Sequence, residues 1–289
     1  MADPPPRPQL EFSAVLPTFN RSAALEENLH TFLALAGLGE LILVDDCSTD
    51  GTEAFLARLD NPLLRVIRHT QNRGSPVARA TGIAEARFPW ILMLEDDCAV
   101  PVDYGQVLLE VAAATQASIV GAPWVHTSLG QLEAEVHSRR ITAADRIGLD
   151  THPGTFPIGE IETPFLPALV LAKRELFQTM NYDPGYRGNA WREETSLFIT
   201  AAEAHYRCVL TPRTFSYQTR QWGGGQHRGR TFYEASVIRN NWRFLRHHRE
   251  FLQTQGYMQS AWRAQIRFVV RRYSALIKGK ARSLTGSER

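Results

Sequence analysis

The segments "ILVDDCSTDG" (Ile42 to Gly51) and "LMLEDDCAVP" (Leu92 to Pro101) each end an apolar run on adjacent acids. Four apolar residues in a row, as in "LILV", are typical of a strand that is buried on both faces of a sheet. Acids that directly follow such a strand lie at its carboxyl end and not in the core. Ligands of open α/β sheets bind beyond these strand ends, so both groups of acids are predicted to line a binding crevice.

The first half of the chain predicts such a sheet, because strand and helix patterns alternate along it. Strands are predicted at "FSAVLPTF", "LILV", "LLRVIRH" and "WILML". The helical patterns between them include two that start on serines placed as N-caps, Ser22 and Ser75, the second followed by Pro76. Strands separated by helices of this length form right-handed βαβ units. The predicted fold class is therefore α/β, a Rossmann-like, mostly parallel sheet flanked by helices.

The second half of the chain is less regular. A strand leads into a helix in "TPFLPALVLAKRELF", a helix begins at about Arg192, and helical sequence runs from about Thr231 to the end. We find no internal repeat and no sharp linker. The predicted organisation is a disordered leader at 1–10, one domain at 11–235 and a basic helical extension at 236–289.

Composition predicts a soluble globular protein, with 44% hydrophobic and 21% charged residues among 289. No apolar run approaches the length of a membrane span, and the proline-rich "MADPPPRPQLE" lacks the apolar region of a signal peptide. Three cysteines, Cys47, Cys98 and Cys208, form a sparse and odd set that indicates a reducing compartment. The expected location is cytoplasmic.

The basic charge is concentrated at the C-terminal end. Twelve Lys/Arg and two Glu from Arg239 onward give that part +10, within a total of +2. This predicts an anionic partner such as lipid or phosphate; no nucleic-acid motif accompanies the charge, and no nucleic acid is expected.

The tail also has two helical faces. Its pattern is typical of an interfacial helix at the inner face of an anionic membrane, and equally of a terminal helix packed on its own domain. Both interpretations stay open. The apolar face comprises Ile266, Val269, Val270, Tyr273, Leu276 and Ile277, and the cationic face Arg267, Arg271, Lys278 and Arg282.

The run Glu95-Asp96-Asp97 indicates a cation, because three consecutive acids repel one another without one. Oxygen ligands favour Mg²⁺ or Mn²⁺, which usually bridge carboxylates to substrate phosphates. For Asp45 and Asp46 a role in capping the next turn is as plausible as a role in binding. No Walker motif and no GxGxxG sequence is present, so neither a P-loop kinase nor a nicotinamide enzyme is supported.

Five segments together resemble one family. "AVLPTFNR", "LVDDCSTDGT", "NRGSPVARATGI", "LMLEDDCAVP" and "WREETSLF" follow the order and rough spacing of the GT-A fold, family 2 inverting glycosyltransferases. The resemblance covers about Phe12 to Gln218. It implies metal-dependent transfer of a sugar from a nucleotide-sugar donor, with a UDP-sugar favoured, to a hydroxyl of a sugar, a lipid-linked or a small-molecule acceptor.

The resemblance also implies roles in donor binding. Asp46, or else Asp45, bonds the edge of the nucleobase, and Arg79 faces the diphosphate. Trp191 forms a floor for the donor or acceptor sugar, or is a buried structural residue. The base and ribose pocket is lined by Pro17, Thr18 and Phe19.

The cation site follows from the same resemblance. Asp97 is the principal ligand of Mn²⁺ or Mg²⁺, and Glu95 and Asp96 complete the motif, although the family usually has aspartate where this chain has Glu95. The family often has a histidine after the last strand, where this chain has Gln218. His227, in the glycine-rich "QWGGGQHRGR", is a candidate replacement as a contact of the metal or of the diphosphate.

The resemblance also implies that Glu194, the second acid of "REE", is the catalytic base, with Glu193 as the second choice. A carboxylate beside the acceptor hydroxyl takes its proton as the hydroxyl attacks the anomeric carbon. Both glutamates fall at a predicted helix start, where the helix dipole favours anions, and that is also their alternative, purely structural explanation.

Two other functions stay open. A sugar-1-phosphate nucleotidyltransferase also uses an α/β sheet and carboxylate-bound Mg²⁺, but "PTFNRSA" lacks the glycine-rich, basic loop expected there. A catalytically inactive nucleotide-sugar-binding protein is the other alternative.

Overall fold

The computed structural model describes residues 11–126, 140–141, 147–149, 151, 155–218 and 229–284. Within them, the strands are β1 Phe12–Thr18, β2 Leu38–Asp45, β3 Leu64–Arg68, β4 Trp90–Met93, β5 Ile119–Gly121, β6 Trp124–His126, β7 Arg140–Ile141, β8 Phe156–Pro157, β9 Ile161–Glu162, β10 Val170–Lys173, β11 Cys208–Leu210 and β12 Ser216–Gln218. The α-helices are α1 Ser22–Leu33, α2 Thr52–Leu56, α3 Ser75–Glu85, α4 Tyr104–Thr115, α5 Glu193–Glu203, α6 Arg230–His247, α7 Arg249–Thr254 and α8 Ala261–Leu284. A 3-10 helix, Arg174–Gln178, follows β10 directly.

Eight strands form one sheet, in the order β3-β2-β1-β4-β10-β5-β11-β9. The first four are parallel to one another, and β10 lies antiparallel between β4 and β5. The carboxyl ends of β1, β2 and β4 therefore meet at one edge. The predicted α/β class with a mostly parallel sheet is confirmed, and the antiparallel insertion of β10 is an addition to it.

Both faces of the sheet are buried, which explains the continuous apolar run of β2. Leu41 and Leu43 pack with α1 and α4 on one face, and Ile42 and Val44 pack with α3 on the other. Helix α3 approaches β1 closely, because a Cβ on Gly82 would stand 2.5 Å from a valine of that strand. This close packing fixes where α3 starts relative to the sheet edge.

Helix α5 has Glu193 and Glu194 in its first turn and is held by the C-terminal helices. Ser196 Oγ lies 2.7 Å from His248 Nε2, and both side chains are buried. Burial lowers the pKa of His248 to about 4. The folded protein therefore holds this imidazole in its neutral form.

We expect acid to destabilise the protein through His248. The folded pKa lies below the unfolded value of about 6.5, so the unfolded chain binds the extra proton and stability is lost as pH falls from about 6.5 towards 4. The full shift corresponds to about 3 kcal/mol. In urea titrations across this range, His248→Gln should flatten the pH dependence of the free energy of unfolding. The exposed His30→Gln is the control, and an unchanged slope in His248→Gln would refute the assignment.

The starts of two helices differ from the prediction by one residue. Ser22 and Ser75 are the first helical residues and not N-caps, since Arg21 and Gly74 precede them. The Ser75 hydroxyl is used elsewhere, as a donor to Glu193 Oε1 at 2.7 Å. Both N-cap predictions were therefore wrong, and at Ser75 a tertiary contact takes the side chain that a local cap would need.

The C-terminal helical sequence is divided into α6, α7 and α8 and is not one helix. It breaks at His248 and again at 255–260, where Gly256 has a φ of +67°. The predicted domain boundary after residue 235 falls inside α6, and the domain division stays a prediction. Among the described residues, none of the helices combines the length and the apolar composition that crossing a bilayer requires.

Candidate active site

A cavity of about 430 Å³ opens beyond the carboxyl ends of β1, β2 and β4. Of the residues singled out in the sequence, Asp45, Glu193 and Glu194 are not in its lining, and His227 lies outside the described residues. The lining includes Pro17, Thr18, Phe19, Asp46, Arg79, Glu95, Asp96, Asp97 and Trp191.

The acids that follow β4 are bound by side chains from β1 and its loop. Thr18 Oγ1 donates to Asp96 Oδ2 at 2.8 Å. Arg21 Nη1 donates to Asp97 Oδ2 at 2.5 Å and lies 3.6 Å from Asp96 Oδ1. Arg21 belongs to the "PTFNR" segment but was not singled out as a site residue in the sequence analysis.

Two of these acids hold their protons more strongly than usual. Burial raises the pKa of Glu95 to about 8 and that of Asp96 to about 6, and repulsion from Asp97 adds to both shifts. The three acids are therefore hard to ionise together with only two arginines beside them. A divalent cation is the partner that would relieve this repulsion.

The geometry of Glu95 and Asp97 fits a hard cation. Each carboxylate gives one oxygen to an arginine, Glu95 Oε1 to Arg79 and Asp97 Oδ2 to Arg21. The second oxygens, Glu95 Oε2 and Asp97 Oδ1, both face Cys98 Sγ, at 3.8 and 3.7 Å. One ligand atom from each of these three residues lies within 4.8 Å of the others.

Cys98 itself is a poor ligand for such an ion. Burial raises the pKa of its thiol well above the usual value, and its sulfur accepts a hydrogen bond from Trp124 Nε1 at 3.3 Å. A protonated, buried thiol leaves the two carboxylate oxygens as the donors, and an oxygen set suits Mn²⁺ or Mg²⁺.

Arg79 joins the acids of β4 to the acids of α5. Its buried guanidinium lies 3.1 Å from Glu95 Oε1, 3.3 Å from Glu193 Oε1 and 3.2 Å from Glu194 Oε1, and it stacks on Tyr182. The predicted contact of Arg79 with a diphosphate stays a prediction, but its nitrogens already have carboxylate partners.

The two glutamates of α5 differ in environment. Glu193 is 2% exposed and accepts the Ser75 hydroxyl, and burial raises its pKa well above the usual value. Glu194 is 19% exposed, with its Oε1 bound to Arg79. Of the two carboxylates, that of Glu194 is the more exposed, and the assignment of the base stays a prediction.

Asp46 lines the cavity, but both oxygens of its carboxylate already accept hydrogen bonds from neighbouring groups. It accepts hydrogen bonds from the backbone N–H groups of Arg73, at 2.9 and 3.1 Å, and Gly74, at 2.7 Å, and His69 Nδ1 lies 2.7 Å away. Its carboxylate thus holds the loop before α3 against the end of β2. His69, at the end of "LLRVIRH", was not singled out from the sequence.

Asp45 points away from the cavity. Its carboxylate is buried in an ion pair with Arg68 and accepts the N–H of Ser48. The structural explanation allowed for Asp45 in the sequence, a turn-stabilising role, accounts for these contacts.

Trp191 contributes to the cavity wall and to the C-terminal helices. Its ring lies 6.3 Å from that of Phe268, and the guanidinium groups of Arg192 and Arg272 each lie 5.8 Å from its centre. Both predicted roles, a sugar platform and a structural tryptophan, are compatible with this position. Asn189 and Tyr233 also line the cavity and were not singled out from the sequence.

Comparison with known families assigns the chain to one of them. Residues 13–181 match the model of the family described as Glycosyl transferase family 2, which is more than half of the chain. The protein belongs to this family, as the sequence motifs predicted.

One relative matches a shorter part of the chain. The chain is 36% identical over 106 residues to the succinoglycan biosynthesis protein ExoO of Rhizobium meliloti; the match covers 36% of this chain and only 30% of that protein.

Solved structures share the fold at low sequence identity. One is S. aureus TarS 1-349 in complex with UDP-GlcNAc (TM-score 0.58, 16% identity, covering 86% of this chain and 75% of that one). Another is the mannosyltransferase PcManGT of Pyrobaculum calidifontis in complex with GDP-Man and Mn²⁺ (TM-score 0.58, 20% identity, 87% and 66%). The fold is the GT-A fold.

Proposed function

We propose that the protein is a metal-dependent, inverting glycosyltransferase that moves a sugar from a nucleotide-sugar donor to an acceptor hydroxyl. One observation carries this proposal: the carboxylates suited to a cation and the carboxylate suited to a base are joined through one buried arginine. Glu95 and Glu194 both bind Arg79, at 3.1 and 3.2 Å, and Arg79 and Glu95 line the cavity.

The proposed donor is a nucleoside diphosphate sugar, with UDP favoured. Fold neighbours solved with UDP-GlcNAc and with GDP-Man support the class of donor, while leaving its base open. Pro17, Thr18 and Phe19, at the end of β1, line the cavity where we propose that the base and ribose bind. We propose that the acceptor is a sugar, a lipid-linked or a small-molecule hydroxyl compound.

Glu95 and Asp97 are the proposed ligands of Mn²⁺ or Mg²⁺, through the oxygens that face Cys98. When bound, such an ion neutralises the charge that grows on the departing diphosphate. Arg21 and Arg79 hold the other two oxygens and so fix both carboxylates in orientation.

Glu194 is the proposed base. The acceptor hydroxyl gives its proton to this carboxylate while its oxygen bonds the anomeric carbon, and the nucleoside diphosphate leaves from the opposite face. Arg79 keeps the Glu194 side chain in place, at 3.2 Å. A single displacement of this kind inverts the configuration of the sugar.

Two alternatives are separated by simple assays. Membership of the glycosyltransferase family disfavours a nucleotidyltransferase, which would release pyrophosphate from a nucleoside triphosphate and a sugar phosphate. A binding protein without catalysis would leave the bound donor intact, whereas a transferase slowly hydrolyses it in the presence of Mn²⁺.

Free thiols at Cys47, Cys98 and Cys208 support our further proposal of a reducing, cytoplasmic location.

Asp97→Asn is expected to weaken Mn²⁺-dependent binding of a nucleoside diphosphate by at least about tenfold, because a neutral amide oxygen is a weaker ligand than a carboxylate. The measurement is a thermal-shift titration of UDP and UDP-sugars with and without Mn²⁺. Asp103→Asn, an exposed aspartate just after the same motif, is the matched control. Equal Mn²⁺-dependent shifts in Asp97→Asn and the wild type would overturn the metal assignment.

A further inference from the structure

The last helix, α8, both packs on the domain and leaves an apolar face uncovered. Its packed side contains the buried Ala264 and Gln265, and Gln265 Oε1 accepts a hydrogen bond of 2.7 Å from Asn241 of α6. Phe268 and Arg272, on the same side, contact Trp191. Ile266, Val270 and Tyr273, noted as apolar in the sequence, are exposed and do not belong to this packed side.

A second side of α8 carries four exposed apolar residues, which we call the apolar stripe. Trp262 is 67% exposed, Ile266 58%, Val270 57% and Tyr273 43%. At 100° per residue these four lie within about 80° of one another around the helix. Exposed large apolar side chains in such a continuous row mark an interaction surface.

A third side carries Arg263, Arg267 and Arg271, which we call the arginine row. All three are exposed, and each follows a residue of the apolar stripe, so the row is rotated by about 100° from the stripe. The segment Ala261–Leu284 contains seven Lys/Arg and no Asp or Glu. Apolar and cationic surfaces therefore run side by side along one helix.

We propose that this face of α8 docks on an anionic lipid surface, with the apolar stripe inserted among the acyl chains and the arginine row at the headgroups. A membrane interface offers an apolar layer and negative charge in the same arrangement. Trp262 and Tyr273 are the residue types that favour this depth, and Trp262 is supported by the ring of Trp242 at 4.7 Å.

A second copy of the chain suits this face less well. Pairing stripe against stripe would bring two helices of high positive charge together, with no acid on either to offset it. Like charges placed together across an interface are unfavourable. Anionic lipid headgroups, in contrast, would attract the positive charge of the helix.

Vesicle sedimentation of the full chain tests the proposal. We expect binding to vesicles with about one third phosphatidylglycerol and little to pure phosphatidylcholine, and we expect salt to weaken it. Ile266→Ser with Val270→Ser should lower the vesicle partition coefficient about tenfold, because apolar area leaves the acyl layer. Replacing the three arginines of the row by Gln should lower it about a hundredfold on anionic vesicles.

Matched controls separate docking through α8 from nonspecific adsorption to vesicles. Val102→Ser with Ile158→Ser removes two other exposed apolar residues, at 59% and 66%, and should leave partitioning unchanged. The stripe variant and the control pair should keep the thermal stability and nucleotide binding of the wild type, because neither alters the packed side of α8. Failure of docking therefore leaves the proposed activity untouched.

Three results would overturn the proposal: no wild-type binding to anionic vesicles at low salt, an equal loss in the control pair, or binding that the stripe variant retains in full. A dimer that Ile266→Ser with Val270→Ser dissociates, without any vesicle binding, would instead assign the stripe to a second copy of the chain.

Discussion

Glu194→Gln is expected to lower kcat by at least about a hundredfold while leaving nucleotide and Mn²⁺ binding intact. The amide keeps the size of the side chain but cannot accept the proton of the acceptor hydroxyl, and a positioned base typically contributes 10²–10⁴-fold. Arg79 retains Glu95 and Glu193 as partners in this variant, so the fold should be preserved. A KM for the donor that stays constant while kcat falls is the signature of a lost transition-state interaction.

Glu193→Gln is the matched control on the same turn of α5. Glu193 is buried and accepts a hydrogen bond from the Ser75 hydroxyl, and the amide oxygen of glutamine can accept the same bond at nearly the same side-chain size. We expect its kcat to stay within a few-fold of the wild type, on the order of the effect of an altered hydrogen bond. A large loss in Glu193→Gln with an active Glu194→Gln would exchange the two roles.

The stereochemistry of the product gives an independent measurement. A single displacement with one base forms no covalent intermediate, so the anomeric configuration should be opposite to that of the donor. NMR of the product decides this directly. Retention of configuration would refute the mechanism even if Glu194→Gln were inactive.

The sheet edge was predictable because its signals are local. The run "LILV" and the acids after it indicate a two-faced buried strand and its carboxyl end, and both are read within ten residues. The same holds for "LMLEDD". The position of β10 was not predictable in this way, since Leu171 pairs with Leu92, which is distant in sequence, across an antiparallel ladder. No local pattern specifies that partner.

The partners of Arg79 show the same limit within the site. Its segment "ARAT" indicated a site residue, but Glu193 and Glu194 lie more than a hundred residues further along the chain. Only the packing of α3 and α5 against the sheet brings them within 3.3 Å. Likewise, Asp46 was recognised as a strand-end acid. The hydrogen bonds that its carboxylate accepts from the N–H groups of Arg73 and Gly74 depend on how the loop before α3 folds back.

Arg79→Met is expected to cost about 3–5 kcal/mol of unfolding free energy, which is the usual effect of removing one partner from a buried ionic cluster. The side chain is 2% exposed and contacts three carboxyl groups. Methionine fills much of the volume but removes the guanidinium donors and the positive charge from those oxygens, although Glu193 Oε1 keeps the Ser75 hydroxyl as a donor. We expect a fall in the midpoint of thermal unfolding of about 5–10 °C.

Arg65→Met is the matched control, because Arg65 also pairs with two glutamates, Glu40 and Glu85, but is 29% exposed. We expect a loss of about 1 kcal/mol there, since water reaches these groups. In the Glu194→Gln background, Arg79→Met should cost about 1 kcal/mol less than in the wild type, because one of its charged partners is already neutral.

Arg79→Lys separates a structural role from the predicted contact with the diphosphate. Lysine keeps the charge but loses the planar fork that reaches Glu95, Glu193 and Glu194 at once. If Arg79 acts by holding these acids, Arg79→Lys should lose stability and lower kcat through a misplaced Glu194, with donor affinity nearly unchanged. If instead the thermal stability of Arg79→Lys equals that of the wild type while donor affinity falls sharply, Arg79 belongs to the diphosphate site. The proposed role of Arg79 in holding the cation ligands and the base together would then be wrong.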